Sequence, residues 1–288
     1  MRVATIAGTL VFLGCAGQSD PNGAARPTDV CERTQKGRVT LAVDAEPIVQ
    51  SRATAVFSDV IVSSQAPRCT TRPVGGCSVT ECVAADPPAG LACQELVRTT
   101  GAGSISISGG ASAPLSMTSD AKRGYAGFSS GGARWTPGDA LTITAAGGEV
   151  PAFDATLTFP SRVEITGPAD YVAKKNPIAL DWKTGVPLSW KPGVGRVWLH
   201  LFQGDPELRK RTDIECEADA TSGSYTIPSD TLVMLEGSRD TTKANATLEI
   251  AGRSMVERAA GEYTVIVEAI YREEPRQLVL ALDGAPAK

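Results

Sequence analysis

Two antiparallel β-sandwich-like domains, an all-β fold, are predicted from three features of the 288-residue sequence. From Arg38 onward apolar and polar residues alternate with a period of two, which puts one set of side chains on each face of a strand. Gly, Pro, Asp and Asn interrupt the alternation at short intervals, as turns between short strands do. No apolar stripe with the 3.6-residue helical period runs for any length, which argues against βαβ units.

In the first half, strands are expected at 39–43, 54–62, 104–108, 115–117, 124–128, 139–145 and 153–159. Ser104-Ile105-Ser106-Ile107-Ser108 sends isoleucines to one face and serines to the other. Phe153, Ala155, Leu157 and Phe159 likewise oppose Asp154, Thr156 and Thr158. Such one-sided strands belong to antiparallel sheets with one face in water. Cys69, Cys77, Cys82 and Cys93 sit between the second and third of these strands. They are separated by Arg72-Pro73-Val74-Gly75-Gly76 and Asp86-Pro87-Pro88-Ala89-Gly90, and read as a Cys-rich hairpin.

Pro160 and Pro168 bracket Val163-Glu164-Ile165, and proline is confined to strand starts and edges. A boundary is therefore expected near residue 160, dividing a domain of 37–160 from one of 161–288. In the second, strands are expected at 178–182, 197–202, 213–218, 225–227, 246–250, 263–271 and 277–282. That spacing, the segment Ala260-Gly261-Glu262-Tyr263-Thr264-Val265, and Trp182 facing inward with Ile178 and Leu180 resemble immunoglobulin-like domains. The resemblance implies a tyrosine corner at Tyr263 and a core tryptophan at Trp182. The family's Cys…Trp…Cys spacing is absent.

The N-terminus carries a different signal. Met1-Arg2 precedes an apolar stretch, 3–14, that is shorter than the roughly 20 residues of a membrane-spanning helix and fits a signal peptide. Its end, Phe12-Leu13-Gly14-Cys15, resembles the lipobox of bacterial lipoproteins; Gly14 and Cys15 match, and Phe12 replaces the usual aliphatic residue. The resemblance implies removal of 1–14 and lipidation of the Cys15 thiol. Residues 16–29 lack large apolar side chains and cannot offset their ordering entropy by burial, so 15–36 reads as a lipidated cysteine and flexible tether. In the lipoproteins it resembles, Asp after the lipidated cysteine retains the chain in the inner membrane, so with Ala16 the resemblance implies the outer over the inner membrane of the bacterial cell envelope. Lipobox, tether, hairpin and two sandwich-like units together resemble uncharacterised envelope lipoproteins of Gram-negative bacteria, a resemblance that brings no activity with it.

Of seven cysteines, six remain beside Cys15: Cys31, Cys69, Cys77, Cys82, Cys93 and Cys216. An oxidising envelope lets an even set form disulfides, with connectivity left open by sequence. Their spacing is not that of paired zinc knuckles. Cys216 shares a strand face with Ile214 and Ala218 and points into a core, either as a free thiol or bridged to Cys31.

The net charge of −4 and the lack of any Lys/Arg block exclude the footprint of a nucleic-acid binder. No His-based zinc set, EF-hand loop or phosphate loop is present, so no metal and no cofactor are expected. Gly127-Phe128-Ser129-Ser130-Gly131 has the Gly-x-Ser-x-Gly pattern, but a loop follows where the nucleophile elbow needs a helix. Ser129, Asp181 and the single histidine, His200, formally make a triad that spans both halves. Trp135, after a Gly-rich turn, and Trp190, in Pro187-Leu188-Ser189-Trp190-Lys191-Pro192, are expected to be exposed and suited to stacking on sugar or gripping a partner. The resulting expectation is a non-enzymatic envelope lipoprotein, held to a membrane by its N-terminal lipid and binding an envelope protein or polysaccharide. The alternative is a secreted serine hydrolase using Ser129 and His200.

Overall fold

The computed structural model describes residues 31–45, 48–63, 68–83, 96–120, 124–125, 127–173, 177–180, 184–205, 210–235 and 245–280. Cys15, the tether up to residue 30, the loop 86–90, Cys93, Asp181 and Trp182 lie outside them, and Cys31 is described only as backbone. The strands of the first half are β1 (Cys31–Asp44), β2 (Gln50–Ser63), β3 (Arg68–Val74), β4 (Cys77–Val83), β5 (Leu96–Thr99), β6 (Ile105–Gly109), β7 (Leu115–Met117), β8 (Ser119–Asp120), β9 (Gly124–Tyr125), β10 (Phe128–Gly131), β11 (Ala140–Ala145) and β12 (Phe153–Thr158). Then come β13 (Ile165–Gly167), the helical turn α1 (Ala169–Val172), β14 (Ile178–Leu180), β15 (Val186–Trp190), β16 (Arg196–Asp205) and β17 (Lys210–Asp219). A 3-10 turn (Ala220–Ser222), β18 (Ser224–Ile227), the turn α2 (Ser229–Leu232), β19 (Ala246–Ala260), β20 (Tyr263–Arg272) and β21 (Arg276–Leu280) complete them.

The fold is all-β and sandwich-like. One large sheet runs β10-β2-β1-β20-β19-β16-β17-β4-β3, with β5 on β2, β21 on β19 and β14 on β21. Two smaller sheets cover it side by side, β12-β11-β6-β7 and β13-β15-β18. Period-two alternation makes each core. Val39 and Leu41 of β1, Phe57 of β2 and Val265 and Val267 of β20 pack against Ile105, Leu141, Ile143 and Phe153. Leu199 and Leu201 of β16, Ile214 of β17 and Leu248 and Ile250 of β19 pack against Leu188, Trp190 and Ile227. β19 serves both: its even residues 246–250 enter the second core, while Val256 and Ala260 enter the first.

The boundary expected near residue 160 therefore does not separate two contiguous domains. β1 pairs in parallel with β20 from Lys36↔Thr264 to Asp44↔Arg272, and β4 of the first half pairs with β17 of the second. The physical reason is the length of the β19–β20 hairpin. Its far half carries Tyr263, Val265, Val267 and Ala269 beyond the reach of the second core, and the first core buries them. What happens at residue 160 is a change of covering layer: the chain leaves β12 and crosses over β19 to start β13. Gly252 admits this crossing, because a Cβ there would collide with the carbonyl of Ser161.

The second unit places β13-β15-β18 against β14-β21-β19-β16-β17, with β14 parallel to β21. In immunoglobulin terms these are strands A-B-E facing A′-G-F-C-C′. The proposed tyrosine corner is corrected by this assignment. Strand F is β19, and 260–265 is its hairpin into β20, turning through Gly261 at φ 62°. Glycine adopts that left-handed conformation without strain.

β20 and β21 are one strand interrupted by a bulge. Arg272 pairs with Ala251 and Arg276 with Leu248, so Glu273, Glu274 and Pro275 oppose only two residues of β19. Pro275 lacks the N–H that a ladder would use. An extra residue bends and twists a strand, and this bend lies where the first sandwich gives way to the second.

Candidate functional site

Core burial of Val197, Leu199 and Leu201 forces the alternate residues of β16, Trp198, His200 and Phe202, onto the opposite face of the large sheet. Their rings follow one another in line, Trp198 stacked on His200 at 4.9 Å between centroids and His200 tilted against Phe202 at 5.1 Å. A guanidinium closes each end: Arg253 lies 5.2 Å from the Trp198 ring centre and Arg211 5.7 Å from that of Phe202. Cation–π attraction favours both placements.

Strands β17 and β19 flank this row with carboxylates. Trp198 Nε1 donates to Glu215 Oε2 at 3.2 Å. His200 Nε2 lies 3.0 Å from Asp213 Oδ1, and Nδ1 3.2 Å from Glu249 Oε2. A neutral imidazole donates at one nitrogen only, an imidazolium at both. Burial works against the charge on His200, but the hydrogen bonds and fields of Glu249 and Asp213 outweigh it and raise the pKa. Burial also pushes Asp213 upward, and is outweighed in turn by Arg211, which donates to it twice at 2.7 Å, and by His200. Glu249 is lowered by its bond to His200.

Beside this row a buried carboxylate ties three strands together. Glu268 of β20, 2% exposed, accepts from Thr40 Oγ1 at 2.9 Å, Arg38 Nη1 at 3.0 Å and Arg253 Nη2 at 3.0 Å. At the bulge, a cleft of about 260 Å³ opens between the two sandwiches. Asp44, Arg52, Trp198, Glu249, Arg272 and Glu273 line it. Arg52 pairs with Asp44 at 2.6 Å, and Arg162 with Glu273 at 2.6 Å.

Several expected site residues lie elsewhere. Ser129 is on β10, where its Oγ accepts from Gln50 Nε2. His200 is five strands away in the sheet order, roughly 24 Å at about 4.8 Å per strand. With both ring nitrogens engaged by carboxylates, His200 is no base for Ser129. Trp135 is 2% exposed and packs on Phe159 at 5.8 Å, closing the first core. Trp190 is 3% exposed and donates from Nε1 to the Ala220 carbonyl at 3.0 Å. It follows Val186 and Leu188 in the inward register of β15, so Pro187, on the outward face within the strand, and Pro192, beyond its end, do not expose the ring.

Cys69 is bonded to Cys82 across the β3–β4 hairpin. Cys216 is neither free nor bridged to Cys31; it is bonded to Cys77. β4 docks on β17 with Ser78 opposite Glu215, which brings Cys77 beside Cys216. Among the described residues, no group of three or more His, Cys, Asp or Glu is placed to hold a metal ion, and no helix is long and apolar enough to cross a membrane.

The feature missed from the sequence is the row of Trp198, His200 and Phe202. Its signal was present in Val197-Trp198-Leu199-His200-Leu201-Phe202: two aromatic rings and an imidazole alternate with three aliphatic residues, and only one set can face the core. Comparisons with protein-family models, with curated proteins and with solved structures found no match.

Proposed function

We propose that the protein is a non-enzymatic envelope lipoprotein, anchored through Cys15, that binds an envelope protein or polysaccharide with the open face of its large sheet. The observation that carries this reading is the row Trp198–His200–Phe202. Solvent-facing positions of a strand ordinarily take small polar or charged side chains, whereas aromatic residues and arginine are enriched where a partner docks. Here three rings in a row, two arginines and a set of carboxylates occupy adjacent strands, with Arg253 held by the buried Glu268 and His200 held between Asp213 and Glu249. Preorganised side chains lose little entropy on binding. The lipobox and the polar segment behind it supply the anchor and the reach in this reading.

Photo-crosslinking in the envelope of a Gram-negative host tests it. A benzoylphenylalanine replacing Phe202 in the full chain is expected to capture a discrete partner. The same probe at Thr142, exposed on the far side of the covering sheet, is expected to capture none. Trp198→Ala should weaken the adduct at 202. Equal capture at both positions, or capture at neither, overturns the proposal.

A further inference from the structure

We infer that the seam cleft is a saccharide site, accepting a single neutral sugar ring; this rests on the open-face binding role proposed above and specifies its ligand. The cleft forms where the bulge at Glu273, Glu274 and Pro275 bends the shared strand away from the ends of β1 and β2. At about 260 Å³ it falls just below the range of roughly 300–1,000 Å³ typical of drug-sized ligands, so it suits one ring of a chain and not an extended segment.

The lining excludes the other small ligands by charge. Asp44, Glu273 and Glu274 are each paired with an arginine, respectively Arg52, Arg162 and Arg276, and Glu249 is held by the His200 ring. A small cation therefore meets carboxylates that already have basic partners, and a small anion meets one guanidinium, Arg272, that is unpaired among the described residues and set among four carboxylates. What remains is a ring of fixed N–H donors and carboxylate acceptors with little net charge. A sugar hydroxyl is donor and acceptor at once, and vicinal hydroxyls match the planar forks of Arg and carboxylate. Trp198 and Pro275 supply apolar wall for the C–H surface of the ring. Arg272, exposed at the rim and in the field of Glu249, is placed to donate to a hydroxyl.

Calorimetric titration and saturation-transfer NMR on the full chain test this directly. The probes are the methyl glycosides of glucose, galactose, mannose and N-acetylglucosamine, with sodium sulfate and putrescine as anionic and cationic controls. At least one glycoside is expected to saturate at about millimolar concentration, the range of a ligand this small, while neither control does. Arg272→Ala should weaken that binding about tenfold or more by removing a charge-assisted hydrogen bond, with circular dichroism unchanged. The inference is overturned if no glycoside saturates, if sulfate or putrescine binds instead, or if Arg272→Ala has no effect. A Phe202-position adduct without glycoside binding removes the saccharide site alone; loss of both removes the open-face role as well.

Discussion

Replacing His200 by Gln should cost stability, and the cost should fade as pH rises. His200 is mostly buried, with 13% of its side chain exposed, and reaches Asp213 and Glu249 on neighbouring strands. A hydrogen bond to a charged group contributes roughly 1.5–3 kcal/mol when shielded from water. Glu249 keeps 35% of its side chain exposed, so its share falls toward the 1 kcal/mol of a solvated ion pair. The two together give about 2–3 kcal/mol. The signs are opposite for the two kinds of group. His200 has a raised pKa, so its contribution is full below the ordinary imidazole value of about 6.5 and is lost as pH climbs through its own higher value. Asp213 and Glu249 have lowered pKa values, so theirs is full above the ordinary carboxylate range of about 4 and is lost on acidification. The clamp is therefore strongest between about pH 4.5 and 6.5. Because His200 is the only histidine, its ring protons give one unambiguous NMR titration. A midpoint above about 6.5, shifted downward by Glu249→Gln, is expected. Urea midpoints of the native chain and His200→Gln should converge from pH 6.5 upward. A midpoint below 6.5, or parallel stability curves, would refute the charged clamp.

Three further outcomes follow from the same geometry. Replacing Cys77 and Cys216 by Ser opens a loop of 139 residues, for which chain entropy predicts a loss of about 5 kcal/mol, read as a fall in denaturant midpoint. In the native chain neither cysteine should alkylate before reduction, and labelling without reductant would contradict the pairing. Trp190→Ala removes a buried indole and the donor to the Ala220 carbonyl, so a loss of about 3–5 kcal/mol is expected by thermal or urea unfolding; a loss under about 1 kcal/mol would mean that the ring is not core. Intact mass spectrometry of the mature chain should show a diacylated Cys15, and an unmodified or differently cut N-terminus would remove the anchor from the proposed function.

Strand positions were legible because alternation is local. The inward face of β12, the isoleucines of β6 and the inward turn of Cys216 all follow from a two-residue repeat meeting one apolar layer. The prolines around Trp190 misled for the same local reason: one lies within β15 and one beyond its end, and neither carries information about which side of the strand is buried.

By itself, then, the sequence determined an all-β chain, its one-sided strands and a cysteine set able to form disulfides, while the domain boundary it suggested near Pro160 is a change of covering layer within one continuous sheet. Only the tertiary structure decided that β1 lies beside β20 and β4 beside β17, that Cys77 finds Cys216, and that Ser129 and His200 stand five strands apart. Backbone hydrogen bonds join any two strands with little regard to their side chains. The choice of partners belongs to the burial of whole faces, which no short window contains. The row of Trp198, His200 and Phe202 and the cleft at the bulge are products of that choice: β19, from further along the chain, was brought beside the β16–β17 hairpin beneath them.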